Sequence, residues 1–413
     1  MPMRFPFILI VIASVRMGAM AQAPATAADD AGLLHRAESD PIRPKPVTTL
    51  PAGPWGSLEY YTIPLTCPPS SLAHLRVPSQ QVEWCFHSSS QAELEAELLT
   101  AGLTVDEIAL ILKGANVLVD PDLMRVFPSE EAIVRMGHQT RGSLYRLLGR
   151  IPENRFHRRP LYIPTENLSA WFDGTGLPRT VIEDIAKLAY PTPRGLGYFF
   201  ADLPFTIRQT NSMKDEQLIV SGLTRRQGLV VRLRLTRETL TPEIAAYWHA
   251  GYKNKAVMPI LDAVVHANDG GAIDIAHLLP ATPRQFLNRF PDPSDAVDGR
   301  LPDWFWTCYN FFRFAPRDLY ADSPERDAVI LEEFEPGLPP LQFGDMVLLN
   351  SGSKIIHGCI HIADDIVFTK NGPDLFSPWV LMRLEEVVAS HDLLGDVSLS
   401  AFRKTPPPTP GFP

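Results

Sequence analysis

The sequence predicts an α+β fold: a mixed α+β region, then a domain in which one helix packs on an antiparallel sheet. Three observations predict it. Helix-start signals with apolar faces recur between residues 90 and 190. Strand-like runs with a period of two follow at 229–235. From about residue 300, one aromatic helix precedes three short apolar strands separated by turns.

The N-terminus carries a targeting pattern. Arg4 precedes an apolar run at 5–15, and Ala21-Gln22-Ala23 supplies the A-x-A motif that a signal peptidase reads. We therefore expect a cleaved leader over residues 1–23 and an exported, periplasmic or extracellular protein. The apolar run is shorter than the roughly 20 residues a membrane span needs. No second stretch of that length follows, so no stable membrane span is expected after leader removal. The formal charge of −9 becomes −11 once Arg4 and Arg16 are removed, which argues against nucleic acid as a partner. An apolar content of 45% against 21% charged residues is enough to bury a core.

Residues 24–56 are rich in Ala, Asp and Pro and read as a linker. Residues 57–290 read as a mixed α+β domain. Thr104 with Glu107 makes a capping box ahead of Ile108, Leu110, Ile111 and Leu112, and Gly114 is a suitable stop. A second helix is expected from Ser129, with Glu130 and Glu131 in its first turn, and a third over 180–189. The runs Leu218-Ile219-Val220 and 229–235 flank Arg225-Arg226-Gln227-Gly228 and predict a hairpin. Arg232 and Arg234 alternate with Val231, Leu233 and Leu235, which gives that strand one wet face and one buried face. A helical stretch at 242–268 ends at Gly270-Gly271. His249, His266 and His277 have no ligand spacing and read as structural or surface residues. His157-Arg158-Arg159 reads as a solvated turn.

The four cysteines are Cys67, Cys85, Cys308 and Cys359. Export would permit a disulfide between Cys67 and Cys85, which lie 18 residues apart. No C-x-x-C and no Cys/His cluster with zinc spacing is present, so neither metal nor cofactor is expected.

Residues 291–395 follow a different logic, and residues 396–413 read as a Pro-rich tail. Asp303 is the natural N-cap of an aromatic helix beginning Trp304-Phe305-Trp306-Thr307-Cys308. Gly344-Asp345-Met346-Val347 opens a strand. Ile355-Ile356-His357-Gly358-Cys359-Ile360-His361-Ile362 forms the next, and Ile366-Val367-Phe368-Thr369-Lys370 a third that ends at Asn371-Gly372.

This order resembles the NlpC-type cell-wall peptidases, a branch of the papain-like superfamily. In that family a cysteine at a helix N-terminus is followed by a Gly-Asp-Leu-Val strand and a His-Val-Gly-Ile-Tyr strand. Here Gly344-Asp345-Met346-Val347 is similar to the first element and His357 with its strand to the second, with Cys359 in place of the glycine. Cys359 itself reads as a buried strand residue. The resemblance spans about residues 300–390. It implies a thiol amidohydrolase or peptidase that cuts an amide bond, such as one in peptidoglycan peptide. Cys308 would attack, His357 would serve as general base and then acid, and Asn371 or Thr369 would orient the imidazole. His361 stands at the family's aromatic position.

The chain departs from the family at one place. The family's nucleophile position is occupied by Trp304, and Cys308 lies roughly 6 Å further along the helix axis. Helix-terminal activation fades within the first turn. Cys308 is therefore either a weakly activated nucleophile or an apolar core cysteine beside Trp306, Tyr309, Phe311 and Phe312. The alternative function is an inactive relative that serves as an envelope binding or structural protein, with an exposed Trp304 contacting ligand.

Overall fold

The computed structural model describes residues 46–72, 81–120, 123–210, 212–251, 253–267, 270–391, 393 and 397–405. The chain separates into Met1–Pro44 and a compact unit, Lys45–Pro413, to which every described residue belongs. The expected leader lies outside the described residues.

Helices and antiparallel sheets are mixed along the chain, so the α+β class holds. The larger sheet has six strands in the order Phe334–Pro336, Ser398–Lys404, Met346–Ser351, Lys354–Ala363, Ile366–Lys370, Trp379–Arg383, each antiparallel to its neighbour. The segment expected as a Pro-rich tail thus contributes an interior strand, Ser398–Lys404, before the prolines begin. A four-stranded sheet runs Thr48–Thr49, Ser57–Leu65, Arg226–Leu235, Gly271–Asp274. Its first strand lies inside the expected linker, and Leu50 beside it is buried.

The N-terminal helices start where their caps require. Thr104 and Glu107 form the capping box of Val105–Leu112, and Gly114 follows at φ +68°. Ser129 caps Glu130–Arg135 through the Ala132 amide. The predicted hairpin is not formed. Leu218-Ile219-Val220 lies within the helix Met213–Leu223, capped by Ser212. The Arg226 strand takes its partner from Ser57–Leu65 instead. Its alternation is as expected: Val231, Leu233 and Leu235 are buried while Arg232 and Arg234 are exposed.

Three apolar clusters hold the unit together. One gathers residues between Cys67 and Leu223, joined by Leu393. Buried within it, Arg141 donates to Asp202 at 2.7 Å and Tyr145 donates to the same carboxylate at 2.6 Å. His157 is not in a solvated turn; it is buried edge-on against Tyr145. The second cluster joins Leu58, Leu229, Val231 and Trp248 to Trp304, Phe305, Ile360 and Leu381, so one core runs across residue 290. The third lies on the other face of the six-stranded sheet, where Val347, Leu349, Cys359, Val367, Val380 and Met382 meet Val387 and Val388 of the helix Leu384–His391.

Among the described residues, no helix is long and apolar enough to cross a membrane. All four cysteines are free and buried, so Cys67 and Cys85 are not bridged.

Candidate functional site

The aromatic helix expected from Trp304 spans Trp304–Tyr309. Asp303 caps it: one carboxylate oxygen accepts from the Trp306 amide at 2.9 Å, the other from the Ala321 amide at 2.7 Å. Asn310 ends it by accepting from the Arg317 amide and donating to the Trp306 and Arg317 carbonyls.

The Gly-Asp pair at the entry to the next strand has a structural task. Gly344 adopts φ +89°, and a Cβ there would run into the Phe312 ring. The Asp345 carboxylate accepts from the Gln342 amide at 2.8 Å and from Arg403 through Nε (2.8 Å) and Nη2 (2.7 Å). This bidentate pair fastens the terminal strand to the sheet.

Strand alternation decides how the remaining site residues meet. In the His357 strand, residues 357 and 359 project to one face and residues 358 and 360 to the other. His357 is paired with Leu349 and Thr369 with Val380, both members of the third cluster. Gly358 lies on the opposite face, directly under Trp304. The helix carrying Cys308 packs on that Gly358 face together with Ile360, Phe368 and Leu381. Cys308 and His357 therefore belong to opposite sides of the sheet, and no hydrogen bond joins them among the described residues.

The histidine half of the expected site does assemble. His357 Nε2 lies 2.9 Å from Thr369 Oγ1, and Thr369 donates to Asn371 Oδ1 at 2.9 Å. Since the threonine proton goes to Asn371, His357 must donate through Nε2 and keep Nδ1 as its lone-pair nitrogen. Both orienting candidates are thus used, Thr369 directly and Asn371 through it. His361 is tied to main chain, Nδ1 facing the Gln342 carbonyl and Nε2 the Asp364 carbonyl.

The effect of burial on the ionisable groups agrees with this division. Burial raises the Cys308 thiol well above its ordinary value, with Cys359 and Asp303 adding to the effect. Burial likewise raises Cys359. A thiol held in this way is a poor nucleophile. Burial also lowers His357 well below its ordinary value, and neighbouring His391 lowers it further. Trp304 is 8% exposed rather than open to a cleft. Its ring lies 6.2 Å from the His357 ring and packs edge-on to Phe305.

One participant had no sequence signal. His391, in the last turn of the helix Leu384–His391, stacks on His357 with centroids 4.2 Å apart and planes at 23°. Ser390 donates to the Val387 carbonyl at 2.7 Å, so the His391 Nδ1 contacts to Ser390 Oγ and Val387 O, both 2.9 Å, make Nδ1 the donor. His391 Nε2 is then an acceptor. Beside this stack opens a cleft of about 100 Å³. Arg226 and Gln227 line it from the smaller sheet, Asn371 and Ser377 from the loop after the Thr369 strand, and Ser390 and His391 from the helix end. Its stacking partner lies 34 residues away in the chain, and the pairing is set by tertiary packing.

Among the described residues no group of His, Cys, Asp and Glu is arranged to hold a metal ion. No family model, no curated protein and no solved structure matches the chain.

Proposed function

We propose that the chain is an exported relative of the NlpC-type hydrolases in which thiol catalysis has been lost, and that it acts as a binding protein of the cell envelope. One observation carries this reading. The only cysteine of the Trp304 helix is buried on the sheet face away from His357, so proton transfer between them has no path. The position where the family resemblance expects a nucleophile holds Trp304, whose ring covers Gly358. The polar cleft beside His391 is the place for ligand, a peptide of the cell wall being the class the resemblance implies.

The hydrolase reading keeps one observation in its favour. The His357–Thr369–Asn371 chain orients an imidazole as a general base requires. Thiol labelling separates the two readings. On native protein at pH 7.5, a maleimide should leave Cys308 untouched over hours, while the same protein in denaturant labels at once. Amide hydrolysis of cell-wall peptides should be absent, and Cys308→Ala should change nothing. Rapid native labelling of Cys308, together with a hydrolytic activity that Cys308→Ala abolishes, would overturn the proposal.

A further inference from the structure

The cleft beside His391 has a chemical bias of its own. Among the described residues, Arg226 is the only one lining it that carries a full charge. Its guanidinium makes one hydrogen bond, from Nη1 to the Arg225 carbonyl at 3.2 Å, and no ion pair within 4 Å among the described residues. Asp374 and Cys67 are close enough to act on it electrostatically, but neither is bonded to it. An Arg side chain has five N–H donors in a planar fork, so most of this donor capacity is unspent inside the protein.

The other lining groups are neutral and complementary. Ser390 and Asn371 have already placed protons or accepted them within the protein. Tyr162, also on the wall, donates to the Leu196 carbonyl at 2.6 Å and has no proton left for a ligand. His391 Nε2 remains as an acceptor, by the tautomer derived above. The cleft thus offers a cationic fork, a neutral acceptor at His391 and the neutral polar side chains of Gln227 and Ser377, within a volume of about 100 Å³. That volume fits a group of a few heavy atoms, with the rest of a ligand outside.

We propose that this cleft binds a small carboxylate with an adjacent N–H, as in an N-acyl amino acid or a free peptide C-terminus: Arg226 takes the carboxylate and His391 Nε2 accepts from the N–H. The inference rests on the binding reading of the same site and names the ligand class for it. A carboxylate matches the guanidinium fork in geometry and charge. A phosphate dianion would want a second cation, and none lines the cleft among the described residues.

Isothermal titration of the full chain with three probes tests this: N-acetylalanine, its neutral amide N-acetylalaninamide, and inorganic phosphate. N-acetylalanine should bind at least about tenfold more tightly than the amide, the scale of one charge-assisted hydrogen bond. Arg226→Gln should remove that preference and Arg226→Lys should keep part of it. Equal binding of acid and amide overturns the carboxylate assignment while leaving a binding role intact. Tighter binding of phosphate than of N-acetylalanine overturns it too, as does no binding of any probe. The thiol-labelling result is independent of all three, so failure here and failure of the broader reading can be told apart. The wild-type comparison of acid with amide decides the matter even if an Arg226 variant fails to fold.

Discussion

Gly358→Ala tests the packing on which the functional reading depends. A Cβ at residue 358 would lie 2.7 and 2.8 Å from two Trp304 ring carbons and 3.0 Å from a Leu348 methyl. Ordinary contact begins near 3.4 Å, so the ring would have to retreat by about 0.7 Å. Trp304 has little room to do so: it is 8% exposed and braced edge-on by Phe305 at 5.5 Å. Overpacking a dense core costs roughly 1–3 kcal/mol. Replacing glycine in a strand returns roughly 0.5–1 kcal/mol through the unfolded chain. The net expectation is a loss of about 1–2 kcal/mol, read as a lower denaturant midpoint at unchanged slope. A double-mutant cycle makes the origin specific. In a Trp304→Leu background the same substitution should cost almost nothing, giving a coupling of about 1–2 kcal/mol. Strictly additive effects would show that Trp304 does not cover Gly358. The account of a nucleophile position filled by an aromatic ring would then fall.

Burial, with Arg141 adding to it, lowers His157 from the ordinary 6.5 to about 3, and its Nε2 has no partner. The neutral ring is the folded form, so this residue's contribution is complete above pH 6.5 and is lost as pH falls towards 3, at roughly 1.4 kcal/mol per unit. Unfolding free energies of wild type and His157→Phe, from denaturant curves at pH 7.5 and pH 5, should therefore diverge by roughly 2 kcal/mol, the variant being the less acid-sensitive; parallel behaviour would refute the assignment. Asp202→Asn leaves the Arg141 charge buried without its counter-ion and should cost about 3–5 kcal/mol in equilibrium unfolding. Thr369→Val strands the His357 Nε2 proton in a buried site and should cost about 1–3 kcal/mol, whereas Thr369→Ser should be close to wild type. Imidazole ¹⁵N shifts should show His357 protonated at Nε2 in wild type and Thr369→Ser and a changed tautomer balance in Thr369→Val.

What could be read from the sequence was local. The Thr104 capping box, the Ser129 cap and the Asp303 cap each lie within three residues of the amide they serve, and each is present. The two faces of the Arg226 strand follow from a period of two, which survives any choice of partner. The partner itself was not local. Leu218-Ile219-Val220 resembles a strand in isolation, yet Ser212 with Asp215 and Glu216 behind it supplies a helix start that three apolar residues do not outweigh. Ser398–Lys404 was hidden by the prolines that follow it; the Asp345–Arg403 pair that seats it joins residues 58 positions apart. The same limit applies to His391 stacking on His357.

The cysteine question turned on parity. Cys308 and His357 each sit on an element the sequence identifies, but whether they meet depends on which set of residues, odd or even, the Trp304 helix covers. A mark of the answer is present in the chain itself. Gly358 is the one residue without a side chain between Lys354 and Ala363, in a strand otherwise filled with bulky groups. A glycine there signals close approach by another element. The adjacent aromatic helix begins with Trp304, the side chain that most needs such a gap. Taken together, a glycine at 358 and a tryptophan at 304 place the helix on the even face and leave His357 on the other, beside His391 and the cleft. Trp304 and the glycine that accommodates its ring are thus two halves of one packing solution. A Trp304→Cys variant would gain a thiol at the helix start but lose the ring that fills the space over Gly358.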